Sequence, residues 1–67
     1  MDFEQRVTIE VTAGDLLAIS NALNEVCHGP DSIPDWEFRT RIGVARDAAN
    51  QTLRQIRDAF DRVHQHP

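Results

Sequence analysis

Phe3-Glu4-Gln5-Arg6-Val7-Thr8-Ile9-Glu10-Val11 is the stretch on which the fold turns. Apolar positions 3, 7, 9 and 11 alternate with polar 4, 6, 8 and 10, and only Gln5 breaks the series. Alternation of this kind puts one set of side chains on each face of an extended chain, and Val, Ile and Thr suit a pleated, half-buried surface. The pattern predicts a strand over 4–11. A lone strand leaves its N–H and C=O rows without partners, so Arg6, Val7, Thr8, Ile9, Glu10 and Val11 need a mate. Three mates are open to it. They are residues 36–42, if extended, the same segment of a second copy, or another protein that accepts an added strand. The homodimer is the expected one, because it also enlarges the core.

The chain after this stretch reads as helical. Thr12-Ala13-Gly14-Asp15 is a variant of the capping box, with a hydroxyl for a free N–H and a carboxylate near the positive helix end. A helix over 13–28 then carries Leu16, Ile19, Leu23, Val26 and Cys27 on one face. Gly29-Pro30 ends it, with Gly expected at a left-handed exit and Pro unable to continue. Residues 31–43 carry two patterns. Trp36, Phe38, Thr40 and Ile42 alternate with charged residues as in a strand. Ser32-Ile33-Pro34-Asp35 offers a cap, an early Pro and acids at 35 and 37, with Arg39 and Arg41 in the last turn and Gly43 beyond it. The charge order matches a helix dipole, and the reading adopted is a short helix over 33–42. Ala45, Ala49, Leu53, Ile56, Phe60 and Val63 form one helical stripe, which predicts a helix over 45–64. Arg54–Asp58, Arg57–Asp61 and Asp58–Arg62 stand at i,i+4 on its other side. The expected fold class is therefore mostly α, in the order β-α-α-α, as one domain over 1–67, with its strand paired across a dimer.

Size and charge narrow the function. Sixty-seven residues make one domain, and 18 large apolar side chains (Val, Ile, Leu, Phe, Trp) fill one small core. One cysteine allows no internal disulfide, so a partner chain is the expected support. There is no run of about 18 apolar residues for a membrane span. The acidic start lacks the pattern of a signal peptide, and with a free thiol this points to the cytoplasm. Residues 1–37 hold eight acids and one Arg, or −7; residues 38–67 hold six Arg and three acids, or +3. Such a division suits a basic partner or head-to-tail self-association better than nucleic acid.

Candidate sites follow from residue type. Trp36 and Phe38 stand among Asp31, Asp35 and Glu37, and aromatics ringed by carboxylates suit a basic protein surface. These five are the expected partner-binding residues. Cys27-His28 and His64-x-His66 contain metal-ligand types, but adjacent ligands on one helix do not converge, and no metal or other cofactor is expected. Cys27 reads as a small buried hydrophobe. Catalysis is not expected. There is no Tyr, no Lys and no nucleophile-base-acid pattern, and a chain this short builds few cleft walls.

Three resemblances add to this. Arg6-Val7-Thr8-Ile9-Glu10-Val11, followed by two helices, resembles the ribbon-helix-helix repressors over about 25 residues. That implies a dimeric DNA-binding regulator with Arg6 and Thr8 reading bases. Against it stand the carboxylate of Glu10 and the long segment Ser32–Ile42 between helices. Arg41-Ile42-Gly43-Val44-Ala45-Arg46 is similar to the glycine-centred turn of helix-turn-helix proteins, which would add Arg39, Arg41 and Arg46 as nucleic-acid contacts. The same Gly has a plain explanation as a helix exit at positive φ. Finally, Asn21-Ala22-Leu23-Asn24-Glu25-Val26-Cys27-His28-Gly29 with Thr40-Arg41-Ile42-Gly43 resembles a group of short bacterial proteins, over most of residues 16–49. That likeness implies a bacterial origin and a non-catalytic role as an immunity or antitoxin-type inhibitor.

Overall fold

The computed structural model describes residues 2–64, with the side chain of His64 left aside. Its elements are three helices, α1 (Ala13–His28), α2 (Asp35–Ile42) and α3 (Arg46–His64). Among the described residues there is no strand, and residues 5–12 take no regular structure. The expected strand over 4–11, its β-α-α-α order and its pairing across a dimer are thereby corrected to α-α-α. The reason lies in residues 36–42. They are the only internal mate, and they are helical, so a ladder has nothing to close against. Arg6, Val7, Thr8, Ile9, Glu10 and Val11 are all exposed, Val7 at 79% and Ile9 at 71%. The arm's one local structure is a turn at its start. There the Gln5 N–H donates to the Asp2 carbonyl at 3.2 Å and the Glu4 N–H donates to the Asp2 carboxylate at 2.9 Å.

α1 starts where the sequence places it. Thr12 accepts the Asp15 N–H at 3.0 Å, and the Asp15 carboxylate accepts the Thr12 N–H at 3.0 Å, a reciprocal cap. Its end differs from expectation. Gly29 has φ −70°, not a left-handed value. Glycine is required there by closeness instead. A Cβ at that position would lie 2.6 Å from the Glu25 carbonyl oxygen, which is backbone and cannot move aside. Gly43, past α2, does take the left-handed conformation, at φ 101°, and leaves the helix as expected.

α2 begins two residues later than 33. Pro34 precedes it, with no side chain capping its end, so Ser32 is not the cap. The Ser32 N–H turns back to the Gly29 carbonyl at 3.0 Å, and Ile33 goes into the core from the loop. α1 and α3 run antiparallel. The His28 ring bonds the Asn50 amide oxygen at 2.8 Å, and Arg57 donates to the Asn24 oxygen at 3.0 Å, so the later position on one helix meets the earlier on the other. Arg57 is thus directed at α1. Among the described residues the ion pairs are Arg46–Asp35 and Arg41–Glu37, and none of the three expected i,i+4 pairs of α3 closes.

The core gathers where α2 meets the α1–α3 pair. Cys27, Ile33, Phe38 and Ala49 form it, with Leu23, Val26 and Ile42 packed alongside. Leu53 is also buried, and so is Ser20, whose hydroxyl donates to the Leu17 carbonyl at 3.0 Å. Away from α2 burial falls off. Leu16, Ile19, Ile56 and Phe60 are half-buried and Val63 is exposed. The surface area is 5714 Å², where a compact chain of this size exposes roughly 4300 Å². Eight of the 18 large apolar side chains are exposed: Phe3, Val7, Ile9, Val11, Leu17, Trp36, Val44 and Val63. One copy of the chain leaves much of its apolar surface in water. Among the described residues, no helix is long and apolar enough to cross a membrane.

Candidate protein-binding surface

Successive residues turn 100° about a helix axis, so side chains two apart point to nearly opposite sides. That spacing separates the two aromatics of α2. Phe38 is 1% exposed, at the centre of the core, while Trp36 is 81% exposed. Phe38 is therefore removed from the expected partner-binding set: its ring holds α2 to the pair beneath. Trp36 makes the opposite choice. A large apolar side chain stands in water on the outer face of a helix that had an interior available.

α2 is fixed from below by Arg46, the first residue of α3. Its Nε donates to the Asp35 carboxylate at 2.6 Å, and its other nitrogens donate to the carbonyls of Cys27 and Ile33. The guanidinium also lies 4.7 Å from the centre of the Phe38 ring. One planar group thus ties the last turn of α1, the loop after it, the start of α2 and the start of α3. The Cys27 carbonyl has no acceptor role left within its own helix, and the negative end of α1 favours a cation there. A lysine could supply the charge but not the fork. This removes Arg46 from the expected nucleic-acid contacts, because its donors are directed inward.

The remaining expected residues are placed as follows. Asp31 is exposed in the loop. Asp35 keeps 86% of its side chain exposed while pairing with Arg46. Glu37 is half-buried, 3.9 Å from Arg41, whose side chain is 57% exposed. Arg39 is exposed on the same helix. The outer face of α2 is then Trp36 and Thr40, with Gly43 just past its end, acids near its start and Arg39 and Arg41 near its end. Arg6 and Thr8 are exposed on the arm, apart from regular structure. With no ribbon to carry them and Arg46 inside, the five expected nucleic-acid contacts form no reading element.

An open recess adjoins the far end of α2. Phe3, Val7, Ile42, Gly43 and Val44 line it with Asp2 and Gln5, and it encloses about 610 Å³. Its walls are mainly apolar. No pattern in the sequence marks this recess, because Phe3 and Val7 lie some forty positions from Ile42 and Val44. Arg46 did leave a trace: a cation in the first turn of a helix opposes the dipole, so something else must hold it.

Cys27 is a buried free thiol, as expected. His28 is engaged with Asn50 on the surface between helices. Among the described residues no three metal-ligating groups converge. The His64 side chain and His66 lie outside the described residues. No known family model, curated protein or solved structure matches the chain.

Proposed function

We propose that this chain is a non-enzymatic protein-binding module whose recognition element is the outer face of α2. One observation carries the reading: Trp36 is 81% exposed on a helix whose other aromatic, Phe38, is buried. Desolvating an indole is among the largest single contributions available at an interface, commonly about 2 kcal/mol or more. The carboxylates of Asp35 and Glu37 stand beside it in the first turn of the helix, and Asp31 is exposed in the loop before. They favour a partner that brings cations beside an apolar recess, and opposite potentials speed such an encounter. Where the partner is an enzyme with a basic active site, the module acts as its inhibitor. Cys27, the one thiol, is 4% exposed and serves packing in this reading.

A photoreactive aromatic residue at position 36 tests the proposal in cells. Irradiation is expected to give a defined covalent adduct with a protein, while the same residue at Asp61, exposed at the far end of α3, gives none. Reversing Asp31 and Glu37 to Arg is expected to remove the adduct. Equal labelling from positions 36 and 61, or no adduct from either, refutes the module.

A further inference from the structure

The outer face of α2 is complementary to itself, and the geometry points to a second copy of this chain as its occupant. The inference rests on the reading of Trp36 as a binding residue and adds the identity of the partner. α2 is polar in sequence along its length, with Asp35 and Glu37 in the first turn and Arg39 and Arg41 in the last. It is also graded in size, from Trp36 at its start to Thr40 and Gly43 at its end on the same face. Two copies of such a helix laid antiparallel about a two-fold axis match on both counts. A two-fold interface requires that if one residue meets another, the reverse contact also forms.

In that register Trp36 of one copy lies over Gly43 of the other. A Cβ built on Gly43 meets nothing within 4 Å, so the space above it is open. Beside it is the apolar recess of Phe3, Val7, Ile42 and Val44. Phe3, Val7 and Val44 are 73%, 79% and 36% exposed, and an indole set among them covers all three. The edges of the helix agree. Glu37 faces position 42 of the second copy, one residue from Arg41. Asp35 faces position 44, within an arginine's reach of Arg39. Each charged pair occurs twice. A uniformly basic partner would meet Arg39 and Arg41 as well as the acids; a second copy sets opposite charges against each other at both ends, beside the pairs Asp35–Arg46 and Glu37–Arg41 within each chain.

The association proceeds through helices and leaves the arm's backbone unladdered. Two tryptophans and two recesses amount to the small end of specific interfaces, below roughly 1,200 Å² in total, so the complex is expected to be reversible.

Trp36 is the only tryptophan, which makes its emission a direct report on the contact. Sedimentation equilibrium and tryptophan emission are measured on the full chain across the same concentrations, up to millimolar. The expected result is a doubling of mass and a blue shift that follow one isotherm. Trp36→Ala is expected to abolish the doubling, and Val44→Asp or Arg39→Glu to weaken it roughly tenfold or more. Added salt is expected to weaken it as well. All three sites are exposed, so helical circular dichroism is expected to stay unchanged. A single-copy mass at every concentration overturns the inference, while adducts from position 36 to a different protein still uphold the binding module. A doubled mass with Trp36 emission unshifted, or unaffected by Val44→Asp, overturns it too, because the copies then meet elsewhere.

Discussion

Residues 2–12 and residues 46–64 both repeat apolar side chains with a regular period, yet one segment leaves them in water and the other buries its first half. In α3 the backbone bonds of the interior close within the helix, so burial is needed only along one stripe, and it is reached at Ala49 and Leu53. The arm has no such independence. An extended segment finds its hydrogen bonds only in a neighbour, and here the helical state of 35–42 removes the one the chain could offer. α3 shows the same dependence in milder form. Its stripe is buried at Ala49 and Leu53 and becomes half-buried at Ile56 and Phe60, toward the far end of the helix. A periodic pattern states which face will be covered if a cover exists; it does not supply the cover.

The sharpest way to break this contrast is at Phe38, the residue through which α2 covers the pair. Phe38→Ala is expected to cost about 3–5 kcal/mol, enough to abolish a cooperative transition in a domain this small, as read by urea or thermal denaturation. A cooperative transition retained near its original midpoint would show that α2 does not hold the core. Next in size is Arg46. Arg46→Met leaves the Cys27 and Ile33 carbonyls without their donor and is expected to cost about 2–4 kcal/mol. Arg46→Lys is expected to recover less than half of that, since an ammonium cannot reach three acceptors in one plane. Full recovery by Lys would reduce the guanidinium's role to charge alone.

Thr12 marks the border between the two regions. Thr12→Ala removes one half of the reciprocal cap and is expected to cost about 1 kcal/mol, with fraying of the first turn of α1 visible in amide exchange. The smallest effect belongs to the arm. Ile9→Ser is expected to change stability by less than about 0.5 kcal/mol, because the side chain is already 71% exposed. A loss above about 1 kcal/mol would mean that the arm is packed in solution.

The helices were largely legible in the sequence, and for local reasons. The cap at Thr12 and Asp15, the charge order of 35–41 and the glycine exit at Gly43 each involve residues within one or two turns. The misreadings have a common form. The alternation over 4–11 is real, but a strand also needs a mate, and the described residues hold none. Gly29 has the sequence setting of a left-handed exit, whereas its constraint is the approach of the Glu25 carbonyl. Phe38 and Trp36 both stand among carboxylates in the sequence, and on a helix their spacing of two divides them. Of the candidate surface, Trp36, Asp31 and Asp35 could be named from residue type and neighbourhood. The recess could not, since its two walls come from distant parts of the chain.

The amino-acid order by itself determined that three helices form, with their ends to within two residues, which stripe of α3 is apolar, and the division into an acidic front and an arginine-rich back. These follow from hydrogen bonds and side-chain contacts a few residues long. Only the tertiary structure decided that Arg46 faces inward, that Phe38 rather than Trp36 is the core aromatic, and that Phe3 and Val7 stand beside Gly43. Those outcomes depend on which surfaces meet once the helices have formed, and contact between distant segments is a property of packing rather than of spacing.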